Sequence, residues 1–265
     1  MMWASAGIDK VFGMRPHVLT LAAVILAATQ AADASDFNRF RVVQLVVADQ
    51  PPLRPNAAFV LGQEVRFRTA VDVKLDRVVV PLASTAIFDY PFLLWVGAGR
   101  IPELSRTELD NLRTFLETGG FILVDNAGDG ADATAFDRSL RALLARVFPG
   151  TPLVEVPESH VLMRSFYRVT SVAGRRAFRN TVEGLFLYDR LCLLYSQNDL
   201  AGAWSRDGFG NWEFETVPGG PAQREGAIRF GVNVVMYALL LDYKDEQAHT
   251  EYLLRKRRLT RGQGP

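Results

Sequence analysis

The residues with the clearest chemical potential follow an apolar run near the middle of the chain. Residues 121–125 read Phe-Ile-Leu-Val-Asp, and polar residues and glycines continue from there to residue 132. A buried parallel strand delivers such a loop to the carboxyl edge of an open α/β sheet, where these folds bind ligands. Asp125 and Asn126 are the first polar side chains to leave the strand. They are consistent with ligand binding and equally with a turn, because both types accept backbone hydrogen bonds in loops.

A second polar loop follows another apolar run, residues 191–195. Carboxyl ends of parallel strands point the same way, so loops leaving such strands are expected to share one edge of the sheet. The sequence therefore predicts a crevice built by the loops 97–100, 125–132 and 196–204. The predicted ligand-binding residues are Gly97, Gly99, Asp125, Asn126, Asp129, Ser196, Asn198 and Asp199.

Three side chains are candidates for catalysis: Asp125, Asp199 and His160. Of the three histidines, His17 lies in the N-terminal apolar segment and His249 in a charged tail, which leaves His160 as the candidate base. His160 is also explained as a loop residue that bonds backbone. Clustered carboxylates can bind a hard cation through oxygen, but their spacing is not that of an EF-hand and histidines are too few for a His-rich zinc centre. No metal site and no cofactor are assigned.

The elements that must position these loops alternate between apolar strands and amphipathic helices. Ser105 and Glu108 have the spacing of a capping box at the start of one helix. Asp137 is predicted to cap the next helix, which Pro149 ends. The predicted strands are 41–47, 76–81, 92–96, 121–125, 184–188 and 191–195, and further helices are predicted at 56–68 and 225–241. The last two strands are either a hairpin or two consecutive strands of the sheet. This alternation predicts an α/β fold.

The N-terminal segment has the features of an export signal. Residues 18–28 are apolar, follow Arg15 and precede Ala32-Asp33-Ala34, a small-x-small cleavage pattern. The apolar run is shorter than the roughly 20 residues that a membrane span needs, which favours a cleaved signal peptide over residues 1–34. Met14 is an alternative start of the same signal. The sequence predicts a periplasmic or secreted protein with no stable membrane span after cleavage.

Composition indicates one large domain with a real core. The chain has 265 residues, 49% of them hydrophobic, and a formal net charge of +1, which gives no indication of nucleic-acid binding. We expect a single α/β domain over residues 35–245 and a basic tail over 246–265. The single cysteine, Cys192, lies in an apolar strand and is predicted to be an unreactive core residue.

The chain resembles an uncharacterised bacterial family, domain of unknown function 4159. The resemblance rests on motifs in a fixed order, which are Tyr90–Leu93, Gly119–Phe121, Ala135–Arg138, Ser159–Leu162 and Tyr195–Leu200. It implies a fold like the class I glutamine amidotransferases, a flavodoxin-like, mostly parallel sheet with helices on both faces. It also implies an exported or membrane-tethered protein, whose relatives often accompany envelope proteins and AAA-type ATPases of the aerotolerance kind.

The chain departs from the amidotransferases at their nucleophile. Those enzymes place a cysteine on the turn after a central strand, but residues 125–128 read Asp-Asn-Ala-Gly. The function expected is therefore a non-amidotransferase module of the cell envelope that binds a small ligand or an envelope protein. The alternative is a hydrolase that uses Asp125 or Asp199 with His160, with or without one metal ion.

Overall fold

The structure, a computed structural model, describes the backbone of residues 39–261 and the side chains of residues 39–241. The predicted signal peptide, residues 1–34, lies outside the described residues. The side chains of the predicted tail, residues 246–265, also lie outside them.

Strands and helices alternate along most of the chain. The strands are β1 Val43–Val46, β2 Val79–Pro81, β3 Phe92–Gly97, β4 Phe121–Asn126, β5 Val154–Glu155, β6 Glu183–Leu187 and β7 Arg190–Ser196. The α-helices are α1 Ala57–Arg68, α2 Arg106–Glu117, α3 Gly130–Val147, α4 Leu200–Trp204 and α5 Gly220–Arg261. Two short 3-10 turns, Thr85–Asp89 and Val161–Arg164, complete the set.

The strands form one mostly parallel sheet of seven strands in the order β2-β1-β3-β4-β7-β6-β5. Neighbours from β2 to β7 pair in parallel, whereas β6 runs antiparallel to both β7 and β5. Of the two alternatives for residues 184–188 and 191–195, the hairpin is the one present. The chain builds the sheet outward from β1 in two directions, with β2 on one side and β3 on the other. Such a reversal leaves a crevice at the carboxyl ends of the two central strands.

Helices cover both faces of the sheet, each over its own hydrophobic core. On one face α1, α4 and α5 contribute Leu61, Trp204 and Phe230 to the core, and on the other α2 and α3 contribute Leu112 and Phe136. Successive β3 residues alternate between the two cores, as expected for a strand buried on both sides. The α/β fold with a mostly parallel sheet is therefore confirmed.

Two predicted helix starts have different outcomes. The capping box is present, since the Ser105 side chain accepts from the Glu108 amide and the Glu108 side chain accepts from the Ser105 amide. The prediction that Asp137 caps the next helix is wrong. That helix begins at Gly130 behind Asp129, and Asp137 lies inside it. Alternate alanines over residues 131–135 are strong helix formers, which extends the helix toward its N-terminus.

The last helix is longer than predicted at both ends. Residues 225–241 were predicted, whereas the backbone is helical over Gly220–Arg261 and so runs on into the predicted tail. In the part of the chain that the structure describes, no helix combines the length and the apolar character needed to cross a membrane.

Candidate functional site

The structure brings most of the predicted binding residues to one edge of the sheet. In the strand register Gly97 lies opposite Asn126, and Asp125 lies opposite Ser196, all at the carboxyl ends of their strands. Gly99 follows β3 with a φ of 66° and donates its amide to Asp132 O at 3.1 Å. The expected convergence of these loops is therefore present.

The side chain of Asn126, however, makes its hydrogen bonds within the protein. Asn126 is only 1% exposed, and its Nδ2 donates to Ala133 O at 2.9 Å and to the Tyr195 hydroxyl at 3.2 Å. Its Oδ1 accepts from the Gly128 amide at 3.1 Å. These bonds fix the turn between β4 and α3, so Asn126 acts as a structural residue of this edge.

Asn198 has the same kind of role for a different segment. Its Oδ1 accepts from the amides of Phe178 and Arg179 at 3.0 and 2.9 Å, and its Nδ2 donates to the carbonyls of Val172 and Arg179. The Ser196 hydroxyl in turn accepts from the Asn198 amide at 3.2 Å. These bonds hold the 172–179 segment over the carboxyl edge of the sheet.

Asp199 joins three parts of the chain through a buried ion pair. The residue is fully buried and has a φ of 53°. Its Oδ2 lies 2.8 Å from Arg54 Nη2 and 2.5 Å from Arg175 Nε, and its Oδ1 accepts from the Gly202 amide at 2.9 Å. Asp199 therefore caps α4 and connects it to the loops that carry the two arginines.

Asp129 forms the exposed end of the same network. Its side chain is 68% exposed and receives Arg175 Nη2 and Arg176 Nη1, each at 2.7 Å. The hydrogen bond from Arg175 holds the pKa of Asp129 below its ordinary value. Arg176 also donates to Asn126 O at 2.9 Å. The 125–132 and 196–204 loops are thus fastened to the arginines of the 172–179 segment.

Asp125 has a buried carboxyl oxygen with no hydrogen-bond partner among the described residues. The residue is fully buried, and its Oδ2 accepts from the Ala201 amide at 2.7 Å. Its Oδ1 has no hydrogen-bond partner in the described part of the protein. Burial, followed by the negative charge of Asp199, raises the pKa of Asp125, although the Ala201 amide and the Ser196 hydroxyl act in the opposite direction. Asp125 therefore retains its proton to a higher pH than an exposed aspartate does.

His160 is a structural residue of its own loop. Its Nδ1 accepts from the Leu162 amide at 3.2 Å, where it caps the 3-10 turn that follows. Its ring packs against Phe186 and Tyr237, with centroids 5.8 and 5.4 Å away. Burial lowers its pKa, and the positive charge of Arg164 lowers it further.

These contacts locate His160 at the amino ends of the strands. Tyr237 packs on Phe121, the first residue of β4, with ring centroids 5.5 Å apart, whereas Asp125 lies near the last residue of that strand. Four residues of strand rise about 13 Å, far beyond the ~3 Å reach that general-base work needs. His160 therefore lies away from the crevice that contains Asp125. Among the described residues, no three acidic, histidine or cysteine side chains cluster so as to hold a metal ion.

A cavity that sequence reasoning missed lies at the carboxyl ends of β1 and β3. Its volume is about 210 Å³, and it is lined by residues 45–47, 50–53, 95–98 and 100–102 together with Phe136. Of the predicted binding residues Gly97 alone lines it. A Cβ at Gly97 would stand 2.1 Å from the Phe136 ring, so the glycine lets the ring pack there. The available signal was Pro51-Pro52, which follows the turn after β1 and keeps this segment out of the sheet.

The wall formed by the turn after β1 is held in an unfavourable conformation. Ala48 and Asp49 have φ values of 50° and 52°, a region that residues with side chains rarely adopt, and Gln50 donates its amide to Val47 O at 3.1 Å. Glu108 Oε1 accepts from the Ala48 amide at 2.7 Å. Such backbone conformations cost roughly 1–3 kcal/mol and cluster at functional sites. The cavity wall is thus fixed by the same carboxylate that completes the α2 capping box.

Cys192 has the surroundings predicted for an unreactive thiol. The residue is fully buried in the core under α2 and α3, and its Sγ lies 3.3 Å from Leu185 O. Burial raises the pKa of its thiol to about 11. Burial and the raised pKa both disfavour the thiolate, which agrees with the predicted role of Cys192 as a core residue.

A family model described as Domain of unknown function (DUF4159) matches residues 47–239. That is well over half of the chain, and the chain belongs to this family. The matched region starts at the turn after β1 and ends within α5, so it contains most of the cavity lining and the whole ion-pair network. No curated protein is significantly similar to the chain.

Proposed function

We propose that this DUF4159 domain is an exported, non-catalytic binding module of the cell envelope that holds an apolar group of its ligand in the cavity at the carboxyl ends of β1 and β3. The observation that carries the proposal is the cavity itself. It lies where the strand order reverses, and open α/β sheets bind ligands at that point. Its walls are mostly aliphatic and aromatic, as in ligand sites generally.

The strand order also supports the flavodoxin-like assignment that the family resemblance implied. The first five strands in space are β2-β1-β3-β4-β7. With β7 counted as the fifth strand, this is the order 2-1-3-4-5 of flavodoxin-like folds, which bind their ligand at the β1/β3 reversal. The glutamine amidotransferase-like fold remains part of the proposal, without the amidotransferase reaction.

The volume of the cavity limits the size of the apolar group that it can bind. An apolar cavity of ~150 Å³ binds benzene, whereas drug-sized pockets measure ~300–1,000 Å³. A cavity of about 210 Å³ therefore suits one ring or a short branched chain. We infer a small ligand, or one that inserts a single apolar group.

The surroundings of the candidate catalytic residues favour binding over hydrolysis. Asp199 is bound by two arginines, and Asp125 is fully buried with a raised pKa. His160 belongs to the opposite edge of the sheet, where it packs on Tyr237. The proposed hydrolase would need a base within hydrogen-bond reach of these carboxylates, and His160 is not positioned for that.

Export is proposed from the N-terminal residues. The apolar run of residues 18–28 behind Arg15, with small residues at 32 and 34, is the pattern of a cleaved signal. In the periplasm or outside the cell, the module would deliver its ligand to, or act beside, an envelope protein. The family resemblance suggests proteins associated with aerotolerance-type or AAA-type ATPases as candidates.

Expression of the full chain in a Gram-negative host is expected to release a mature protein that begins at or near Ser35. N-terminal sequencing of the periplasmic fraction measures this start. An Ala34→Phe variant is the matched control, since a bulky residue at the cleavage site should leave the signal attached. Full-length wild-type protein in the cytosol would contradict export. That result would not bear on the proposal that the cavity binds a ligand.

Phenol is expected to bind in the cavity, because it combines one aromatic ring with sufficient solubility. In heteronuclear NMR of the full chain, addition of phenol should shift the Trp95 indole and the Ala98 amide, which both belong to the cavity lining. Ala98 is exposed, so Ala98→Phe should fill the cavity without disturbing the core and should abolish the shift of the Trp95 indole.

The matched control is Ala222→Phe, the same change at an exposed position of α5 away from the cavity lining. It should retain the phenol-induced shifts, and thermal melts should show that both variants fold. Absence of shifts at millimolar phenol in the wild-type protein, or shifts that persist in Ala98→Phe, would refute the proposed binding site.

A further inference from the structure

The cavity shares one wall with a larger groove that is lined by several arginines. The groove measures about 680 Å³ and lies between residues 100–104 and one face of α3. Arg100, Ile101 and Pro102 line both the groove and the cavity. A ligand held in the cavity therefore has the groove directly beside it.

Three arginines and one glutamate line the groove. Arg146 Nη1 lies 3.9 Å from Glu103 Oε1, and both side chains are more than half exposed, so the contact is weak. Arg100 and Arg138 form no ion pair with any side chain that the structure describes. Three arginines less one glutamate leave a formal charge of +2 in the groove.

The neighbouring Arg141, on the same helix as Arg138, forms ion pairs with two carboxylates. Its Nη2 lies 3.0 Å from Asp137 Oδ1 and 2.6 Å from Glu183 Oε2. These contacts give Arg141 a structural role between α3 and β6. Arg138, which is exposed and lines the groove, has no such carboxylates among the described residues.

The backbone positions Arg100 on both sides while its side chain stays exposed. The Gly99 amide donates to Asp132 O and the Ile101 amide to Ser139 Oγ, each at 3.1 Å. Both acceptors belong to α3, so the loop is fastened to the helix that supplies the other arginines. A binding group with a fixed backbone loses less conformational entropy when its ligand arrives.

The spacing along α3 places the remaining groups on one stripe. Arg138, Ala142 and Arg146 follow one another at intervals of four residues, so they lie on the same face of the helix. The small side chain of Ala142 between the two arginines keeps the floor of the groove low. The groove can therefore admit an anion between Arg138 and Arg146, with Arg100 on the opposite side.

We infer that the ligand is a small phosphate monoester of an apolar alcohol, with the apolar group in the cavity and the phosphate in the groove. The inference rests on the proposed function, whose ligand class it specifies. A phosphate monoester carries about −1.5 to −2 charges at neutral pH, which matches the charge of the groove. Guanidinium groups bind phosphate oxygens through paired, charge-assisted hydrogen bonds. A cavity of about 210 Å³ excludes a long acyl chain, so the ester is a small molecule.

Isothermal titration of the full chain with phenyl phosphate, phenol and inorganic phosphate tests the inference. Phenyl phosphate should bind about tenfold or more tightly than phenol, because its phosphate gains charge-assisted hydrogen bonds from the arginines of the groove. Arg138→Gln should weaken phenyl phosphate by about tenfold and leave phenol unchanged, and Arg100→Gln, at a residue that also lines the cavity, should weaken phenyl phosphate by a similar factor. Ala98→Phe should abolish binding of both ring compounds.

Arg66→Gln is the matched control, since it removes the same charge from an exposed position of α1 on the other face of the sheet. It should leave all three affinities unchanged. If phenyl phosphate binds no more tightly than phenol, the phosphate assignment is wrong and the cavity proposal stands. If inorganic phosphate alone binds as tightly as phenyl phosphate, the groove acts without the cavity and the inference is overturned. If neither ring compound binds, the proposed function and the inference both fail.

Discussion

The Asp199→Ala variant is expected to lose about 3–5 kcal/mol of unfolding free energy, the usual cost of removing one partner of a buried ion pair. Asp199 is fully buried, and its removal leaves Arg54 and Arg175, each with a side chain 18% exposed, without their shared carboxylate. The Gly202 amide loses its cap as well. Alanine also tolerates the observed φ of 53° less well than aspartate does. Urea unfolding at neutral pH measures the loss.

Two further variants separate the causes of that loss. Asp129→Ala removes the other carboxylate on Arg175, but its 68% exposure limits the expected loss to about 1 kcal/mol or less. Asp199→Asn keeps the cap and a residue type suited to positive φ, and removes the charge alone, so its loss should be intermediate. If Asp199→Ala costs no more than Asp129→Ala, the ion pair does not stabilise the fold, and Asp199 regains its candidacy as a functional residue.

The features that could be predicted from the sequence depend on neighbours in the chain. The capping box needs only Ser105 and Glu108, three residues apart, and the burial of Cys192 follows from the apolar residues on either side of it. The convergence of Gly97, Asp125 and Ser196 at one edge also follows, because parallel strands direct their ends the same way.

The features that could not be predicted depend on contacts between distant segments. Asp199 and Arg54 are 145 residues apart, so nothing near Asp199 in the sequence indicates that its carboxylate is already bound. His160 is placed by Tyr237 of the last helix, and a single loop histidine carries no sign of which edge it joins. The cavity wall depends on Ala48 at positive φ, a conformation that alanine rarely adopts and that no local pattern predicts.

The stability of the protein is expected to depend on pH because of Asp125, at the carboxyl edge of the sheet. Burial and the charge of Asp199 raise the pKa of Asp125 above its ordinary value of 3.8. At a pH between the ordinary pKa of the unfolded chain and the raised pKa of the folded protein, folded Asp125 retains a proton that the unfolded chain has released. The unfolding free energy therefore falls as the pH rises through this interval. Asp125→Asn removes the titration. From about pH 4 to pH 8 the unfolding free energy of the variant relative to wild type should rise by more than about 1 kcal/mol.

A second cycle in the Asp199→Asn background identifies the cause. Other titrating groups contribute equally to wild type and variant, so the difference between them reports Asp125 alone. Without the charge of Asp199, burial is the main remaining reason for the raised pKa, and the pH-dependent difference should become smaller without disappearing. Urea unfolding across the pH range in all four proteins supplies the measurement. A difference between Asp125→Asn and wild type that stays constant with pH would mean that Asp125 is ionised in the folded protein, where its Oδ1 would then need a cationic or hydrogen-bonding partner.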